Sequence, residues 1–408
     1  MDILQKDSPD YIPFCSELFQ YYGGVSDFTN NLARQLKKKG KLRFVVAAIA
    51  EKFDFGFEVI RFDAKFQRGS YALDKWKIFS KFITLWYYTN FYWSSWKSLR
   101  KLVKKGQHSC IVFSEYYSSN FDIIIRCARF LNIRYGIVFH GLDLICAKNK
   151  KFVHFKENFK EAEFIVFNSH ATQDLCTELF HLQAKRTLLV YPGIDIAGVQ
   201  EKYKDLPRDP TFRPDQQTII FSTVSRLIQR KGIDIAIRIV HELAKTYPNI
   251  RYYIAGSGEK SAELARLIDQ LGDSSSIHML GEISDARKYQ LLEESDFFLL
   301  PNHSAEGKDF EGFGISFIEA SLLGNVVIGG KQGGVKEAVK DFYSGYLFDF
   351  DQEASSIQAI QKIRELLEDR EKINEIQCNG TAFVHVNFDW NKLIDEFLKC
   401  ENGKASFQ

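Results

Sequence analysis

The sequence predicts an α/β protein of two doubly wound parallel sheets, and three observations carry that prediction. Segments of strand character alternate with amphipathic helical segments along most of the 408 residues, as in parallel sheets covered by helices. The alternation breaks and restarts once near the middle. At that break three of the eight prolines, Pro207, Pro210 and Pro214, fall in a polar stretch whose extended, helix-averse backbone suits a linker.

Taken in order, an amphipathic helix at 28–38 leads into a strand at 42–48, and further strands read at 110–114, 135–139, 164–168 and 187–191. The second half restarts at 218–224 and continues with strands at 250–255, 277–280, 297–300 and 326–329. The last segment, 388–400, reads as a separate terminal helix. The boundary falls between Pro192 and Asp215. This gives a first domain over 1–195, a linker over 196–216, a second domain over 217–385, and a terminal helix and tail over 386–408. The length suits two or three domains at roughly 150 residues each. No tandem repeat and no low-complexity tract interrupts the pattern.

Composition excludes several classes. Apolar residues make up 45% and charged residues 26%, which is globular rather than disordered. Lys and Arg number 54 against 52 Asp and Glu, so no general field for nucleic acid exists. Seven cysteines at 15, 110, 127, 146, 176, 378 and 400 include no CxxC pair, which excludes a zinc ribbon and fits a reducing cytoplasm. The opening Met1-Asp2-Ile3-Leu4-Gln5-Lys6-Asp7 lacks the basic start and apolar run of a signal peptide. The most apolar stretch, 82–96, is broken by Thr84, Thr89, Asn90, Ser94 and Ser95 and is too short and polar to span a bilayer.

Three segments carry chemistry. In Glu311-Gly312-Phe313-Gly314-Ile315-Ser316-Phe317-Ile318-Glu319, two carboxylates bracket a glycine-rich turn that opens a helix. Gly312 and Gly314 let backbone N–H groups approach a ligand, and a helix N-terminus favours negative charge. Glu319 is placed to accept from a diol such as a ribose, and Glu311 from a sugar. The plain alternative is a βα turn with two surface glutamates. In Val224-Ser225-Arg226-Leu227-Ile228-Gln229-Arg230-Lys231-Gly232, directly after a strand, Arg226 and Lys231 suit a diphosphate as a fork and a point charge. The alternative is a solvated basic loop, which is how Arg230 reads. Ala255-Gly256-Ser257-Gly258-Glu259 follows another strand as a tight turn near the nucleotide. Ser261 stands where a dinucleotide fingerprint needs its last glycine.

The order of Gly23-Gly24-Val25, His140-Gly141-Leu142-Asp143, Pro192-Gly193-Ile194-Asp195, Arg226 with Lys231, and Glu311 to Glu319 resembles the family-4 retaining glycosyltransferases of the GT-B fold. Gly333-Gly334-Val335-Lys336-Glu337 and Gly345 continue the match, which covers nearly the whole chain and is most specific over 220–350. The resemblance implies two Rossmann-like domains facing a cleft, with the C-terminal helix returning towards the first. It implies that Glu311 holds the donor sugar's hydroxyls, that Gly312, Phe313 and Gly314 offer backbone groups to sugar and phosphate, and that Glu319 binds the ribose. Arg226 and Lys231 would neutralise the departing diphosphate in place of a metal, so neither metal nor cofactor is expected. Gly23 and Gly24 match the loop that approaches the phosphates, His140 the histidine near the transferred sugar, and Gly281 to Ile283 the segment against which the base packs. A lone histidine after a strand is also often just a satisfied polar group. The chain departs from the family at its opening, where Gln5-Lys6-Asp7-Ser8 follows Met1 to Leu4 instead of a clean apolar strand.

The stretch 76–105 holds Trp76, Trp86, Trp93 and Trp96, seven cations (Lys77, Lys81, Lys97, Arg100, Lys101, Lys104, Lys105) and no acid. Polar positions 77, 81, 84, 88 and 95 fall along one side of a helix, leaving a broad aromatic face. It reads either as a core helix with a basic end or as an interfacial surface suited to lipid headgroups, to which 37–39 and 148–151 add charge. The leading functional reading is a retaining transferase that moves a hexose or N-acetylhexosamine from a UDP- or GDP-linked donor. Its acceptor would be a glycan or lipid-linked molecule in cell-surface polysaccharide synthesis, in the cytoplasm or at the inner membrane face. A sugar-nucleotide epimerase, a phosphorylase, and a non-catalytic partner of another transferase are the alternatives.

Overall fold

The computed structural model describes residues 10–18, 24–50, 55–62, 79–105, 109–149, 152–203, 205–207, 209–304 and 310–399. Gly23, Trp76 and the opening segment 1–4 lie outside them. The chain forms two compact units, one of residues 1–190 with 393–408 and the other of residues 191–392.

The first unit carries seven parallel strands among the described residues: β1 (Tyr11–Leu18), β2 (Val45–Ala50), β3 (Val59–Arg61), β4 (Cys110–Phe113), β5 (Tyr135–Phe139), β6 (Phe164–Phe167) and β7 (Thr187–Leu189), ordered β3-β2-β1-β4-β5-β6-β7. No strand is read over 11–18 from the sequence, whose opening departs from a clean apolar strand; Pro13, which cannot donate to a ladder, lies inside β1. In the fold Pro13 sits opposite Val112, flanked by Ile12 and Phe14, both buried. The expected strand at 42–48 begins later, with Leu42 making only an isolated bridge to Tyr11. Phe14 packs at the centre of this unit, with ring centroids 5.2 Å from Phe113 and 5.7 Å from Phe121.

The second unit has six among its described residues: β8 (Ile219–Val224), β9 (Ile250–Ala255), β10 (Ile277–Gly281), β11 (Phe297–Leu300), β12 (Val326–Gly330) and β13 (Gly345–Phe348), ordered β10-β9-β8-β11-β12-β13. The strands β11 and β12 are short, apolar and buried throughout, as strands covered on both faces of a parallel sheet are. Phe221 and Phe297 stack at 4.8 Å across β8 and β11. The stretch expected as a linker, 196–216, carries the helix Ile196–Tyr203 and then folds onto this unit. Phe212 is buried edge-on against Tyr253, and Arg213 pairs with Glu294 and Asp296.

The terminal helix Trp390–Leu398 buries Trp390, Leu393, Ile394 and Phe397, an apolar stripe at helical spacing. Its last turn belongs to the first unit, where Phe397 lies edge-on to Tyr11 at 5.2 Å and to Phe164 at 5.8 Å. The aromatic-basic stretch is a helix, Phe79–Lys105. Phe91, Ser95, Leu99 and Leu102 are buried, so Ser95 lies on the core side and not on the polar side expected for it. Trp93 is 54% exposed, stacked on Trp96, with Lys97 over its ring and Arg100 over that of Trp96. Among the described residues no helix is long and apolar enough to cross a membrane.

Candidate functional site

In the second unit the chain leaves β8 towards β9 and leaves β11 towards β12, although β8 and β11 are neighbours. Loops after these two strands therefore diverge, and the crevice at such a switch point is where open α/β sheets bind ligands. The loop after β8 turns through Gln229–Lys231 into Gly232, whose φ of +63° only glycine adopts readily. A Cβ on Gly232 would also lie 2.2 Å from the Pro301 carbonyl oxygen, which is how closely the loop after β11 approaches. His303 fastens the two loops, its backbone N–H donating to Arg230 O at 3.0 Å and its Nε2 to Gln229 O at 3.0 Å.

Between these loops lies Glu311. Its Oε2 accepts from the Arg230 guanidinium, from Lys231 Nζ at 2.5 Å and from Asn302 Nδ2 at 2.7 Å. The Arg230, Lys231 and Glu311 side chains are 8%, 9% and 11% exposed. Burial alone would raise the carboxyl, but Lys231 and Arg230 outweigh it and hold Glu311 at about 2. The same burial pulls the Lys231 ammonium below its usual value against the attraction of Glu311, and Arg226 lowers it further. Lys231 and Glu311, both singled out by the sequence, are thus joined directly. Arg226 is exposed at the start of the loop. Arg230, read as a solvated loop residue, is instead buried on the carboxylate; its spacing says nothing of the turn that points it inward.

The backbone after Glu311 is held from behind, with Gly334 N–H donating to Glu311 O at 2.9 Å. Phe313 is buried between Tyr191 at 5.4 Å and Phe388 at 5.3 Å. Gly314, at φ +100°, opens the helix Ile315–Leu322, where a Cβ would fall 2.6 Å from the Phe317 ring. Gly312, Phe313 and Gly314 are therefore buried backbone beside Glu311. Glu319, on that helix, is paired with Lys288 at 2.7 Å. Gly281 ends β10 exposed at φ +66°, and its carbonyl accepts from Gly256 N–H at 2.8 Å. The Gly256 turn and the Gly281 turn are thus neighbours, and Ile283 packs half-buried beyond them against the apolar cluster of Phe212 and Tyr253.

The first unit holds the other expected residues. His140 follows β5, and its Nε2 lies 2.9 Å from Ser114 O. A carbonyl only accepts, so Nε2 carries the proton and Nδ1 is the ring's acceptor. Burial drives the imidazole down to about 4, so it is neutral at ordinary pH. The helix opening at Gly24, Gly24–Lys38, brings Phe28 edge-on to His140 at 5.3 Å. Asp143, three residues after His140, shapes this turn: its carboxylate accepts from the backbone N–H of His140, Gly141 and Leu144 at 2.9–3.1 Å. Burial pushes its carboxyl up to about 7 against those donors. Besides Asp143, the sequence reading missed Asn302 and Lys288. Asn302 could have been found from its place just beyond a strand end; Lys288 had no local signal. Among the described residues no cluster of three or more His, Cys, Asp or Glu could hold a metal ion.

Two family models match the chain, "Glycosyltransferase Family 4" over residues 22–197 and "Glycosyl transferases group 1" over residues 205–383. An uncharacterized glycosyltransferase of Methanocaldococcus jannaschii is 25% identical over 71% of this chain and 76% of its own length. A phosphatidylinositol N-acetylglucosaminyltransferase component of Arabidopsis thaliana is 30% identical over 32% of this chain. The D-inositol 3-phosphate glycosyltransferase of Mycobacterium ulcerans is 28% identical over 58%. The matched stretches span 28% and 50% of those last two relatives. Among solved structures, Anabaena HepE with UDP and glucose superposes with a TM-score of 0.70 at 17% identity, covering 96% of this chain and 98% of that one. WaaG, a glycosyltransferase involved in lipopolysaccharide biosynthesis, gives 0.68 at 16% identity, covering 96% of this chain and all of its own (100%). At such identities these two structures speak for the fold.

Proposed function

Because the chain belongs to the family-4 glycosyltransferases of the GT-B fold, we propose that it moves a hexose or N-acetylhexosamine from a UDP- or GDP-linked donor, with retention at the anomeric carbon, to a glycan or lipid-linked acceptor of a cell-surface polysaccharide. The observation that carries this reading is the buried Glu311 with Arg230 and Lys231 at the switch point of the second sheet. Oε2 of Glu311 is saturated by three donors, which fixes the carboxylate and leaves Oε1 to accept a sugar hydroxyl. Departure of a nucleoside diphosphate develops negative charge, and fixed cations stabilise it where it forms. Lys231, with Arg226 on the same loop, supplies that charge without a metal. His140, neutral and held by Ser114, offers Nδ1 as an acceptor to the transferred sugar. Retention rests on the family resemblance. The exposed Trp93 with Lys97, Arg100, Lys101 and Lys104 supports an anionic membrane surface as the place where a lipid-linked acceptor is met.

Incubation with a panel of UDP- and GDP-sugars, following nucleotide release and the anomeric configuration of the product, tests the reading. Nucleotide release with an axial product from an axial donor is expected. Free sugar phosphate as the product, or an epimerised donor with no transfer, would replace it with the phosphorylase or epimerase reading.

A further inference from the structure

Glu319 does not stand alone in its helix. Its Oε1 accepts from Lys288 Nζ at 2.7 Å, and the same ammonium reaches Asp285 Oδ1 at 3.3 Å. The partners come from different elements, Lys288 from the helix Asp285–Glu294 and Glu319 from the helix Ile315–Leu322. The Lys288 and Glu319 side chains are only 18% and 14% exposed, so the pair is far from the solvated kind that contributes little. Although burial opposes the charge on Lys288, Glu319 and Asp285 hold its ammonium well above the usual value. The helix that carries Lys288 is itself fixed by the next residue, Tyr289, whose ring stacks on Tyr203 at 4.4 Å.

A free glutamate rotates broadly about its terminal torsion, so its lone pairs have no set direction. Anchoring one oxygen removes that freedom. Glu319 Oε2 takes no hydrogen bond among the described residues, and with Oε1 held its direction is set before any ligand arrives. We infer that Lys288 is a positioning residue: it orients Glu319 to receive the ribose hydroxyls of the donor and so sets the preference for ribonucleotides over deoxyribonucleotides. The inference rests on the proposed reading of Glu319 as the diol-binding carboxylate, and the experiment separates the two.

The full chain is titrated calorimetrically with UDP and with GDP, then with the 2′-deoxy and 3′-deoxy forms of whichever binds. Wild type is expected to prefer the ribo form by roughly tenfold or more, the scale of one lost hydrogen bond in a closed site. Glu319→Ala should erase that preference. Lys288→Met, checked for an intact fold by its melting curve, should reduce the preference by most of its size. Lys288→Arg should restore it, and Lys288→Gln replaces the Met variant if that one does not fold. Should Lys288→Met keep the wild-type ratio, or weaken ribo and deoxy forms equally, while Glu319→Ala erases it, the positioning role is wrong and the reading of Glu319 stands. Should Glu319→Ala keep the ratio, or neither diphosphate bind, both fall together.

Discussion

Three donors converge on one oxygen of Glu311, and this decides how the residue can be tested. Replacing it with alanine takes the carboxylate away from two buried cations, a loss of about 3–5 kcal/mol of stability that would mask any effect on catalysis. Glu311→Gln keeps the shape and is expected to fold with reduced turnover, read from denaturation and rate measurements side by side. Lys231→Ala should slow transfer by about 10²–10³-fold, as for one lost transition-state donor, and EDTA should leave the wild-type rate unchanged. Activity lost in EDTA and restored by Mg²⁺ or Mn²⁺ would contradict the role given to Lys231. His140 predicts a pH effect. Unfolded, an imidazole binds its proton near 6.5; folded, this one does so only near 4. Between those values the unfolded state holds more protons, so the contribution is complete above 6.5 and lost as pH falls to 4. Asp143, raised to about 7, acts in the opposite sense over the same window. The comparison is therefore with His140→Gln, against which wild type should lose about 3 kcal/mol between pH 6.5 and 4 in urea melts.

The helix Phe79–Lys105 shows what an element's pattern can and cannot tell. Its lack of acids and wealth of aromatics were legible, but which face turns inward was not, because aromatic residues occur on both. Packing against the helix Ser119–Phe130 decided it: Phe91, Leu99 and Leu102 face the core, and Trp93 remains outside among cations. Each cation near an anionic surface contributes about 1 kcal/mol. Wild type is expected to sediment with anionic vesicles at low salt and to be released by salt, and a variant carrying Lys97→Glu, Lys101→Glu and Lys104→Glu should stay in the supernatant. If wild type also stays there, the face is structural and a water-soluble acceptor takes the place of a lipid-linked one.

For the whole molecule, the first unit is discontinuous in sequence and closed by the chain's last helix. Phe397→Ala is expected to destabilise by about 3–5 kcal/mol, as for a fully buried phenylalanine, with faster hydrogen exchange in β1 and unchanged exchange in β8. Phe342→Ala, at a residue 69% exposed, is the control. The sequence by itself determined the two parallel sheets and the place of most strands, and it singled out Lys231 and Glu311, which the fold brings together. These are carried by local periodicity and by loops that follow strands directly. It could not determine β1, since the proline that argues against a strand is tolerated only because neighbours on both sides hold the rest of it. Nor could it determine that Arg230 turns inward, that Lys288 holds Glu319, or that Asp143 ties the turn at His140. Each of those is a choice of side-chain direction, made when separate elements pack together and a buried charge or orphan backbone donor must find its partner.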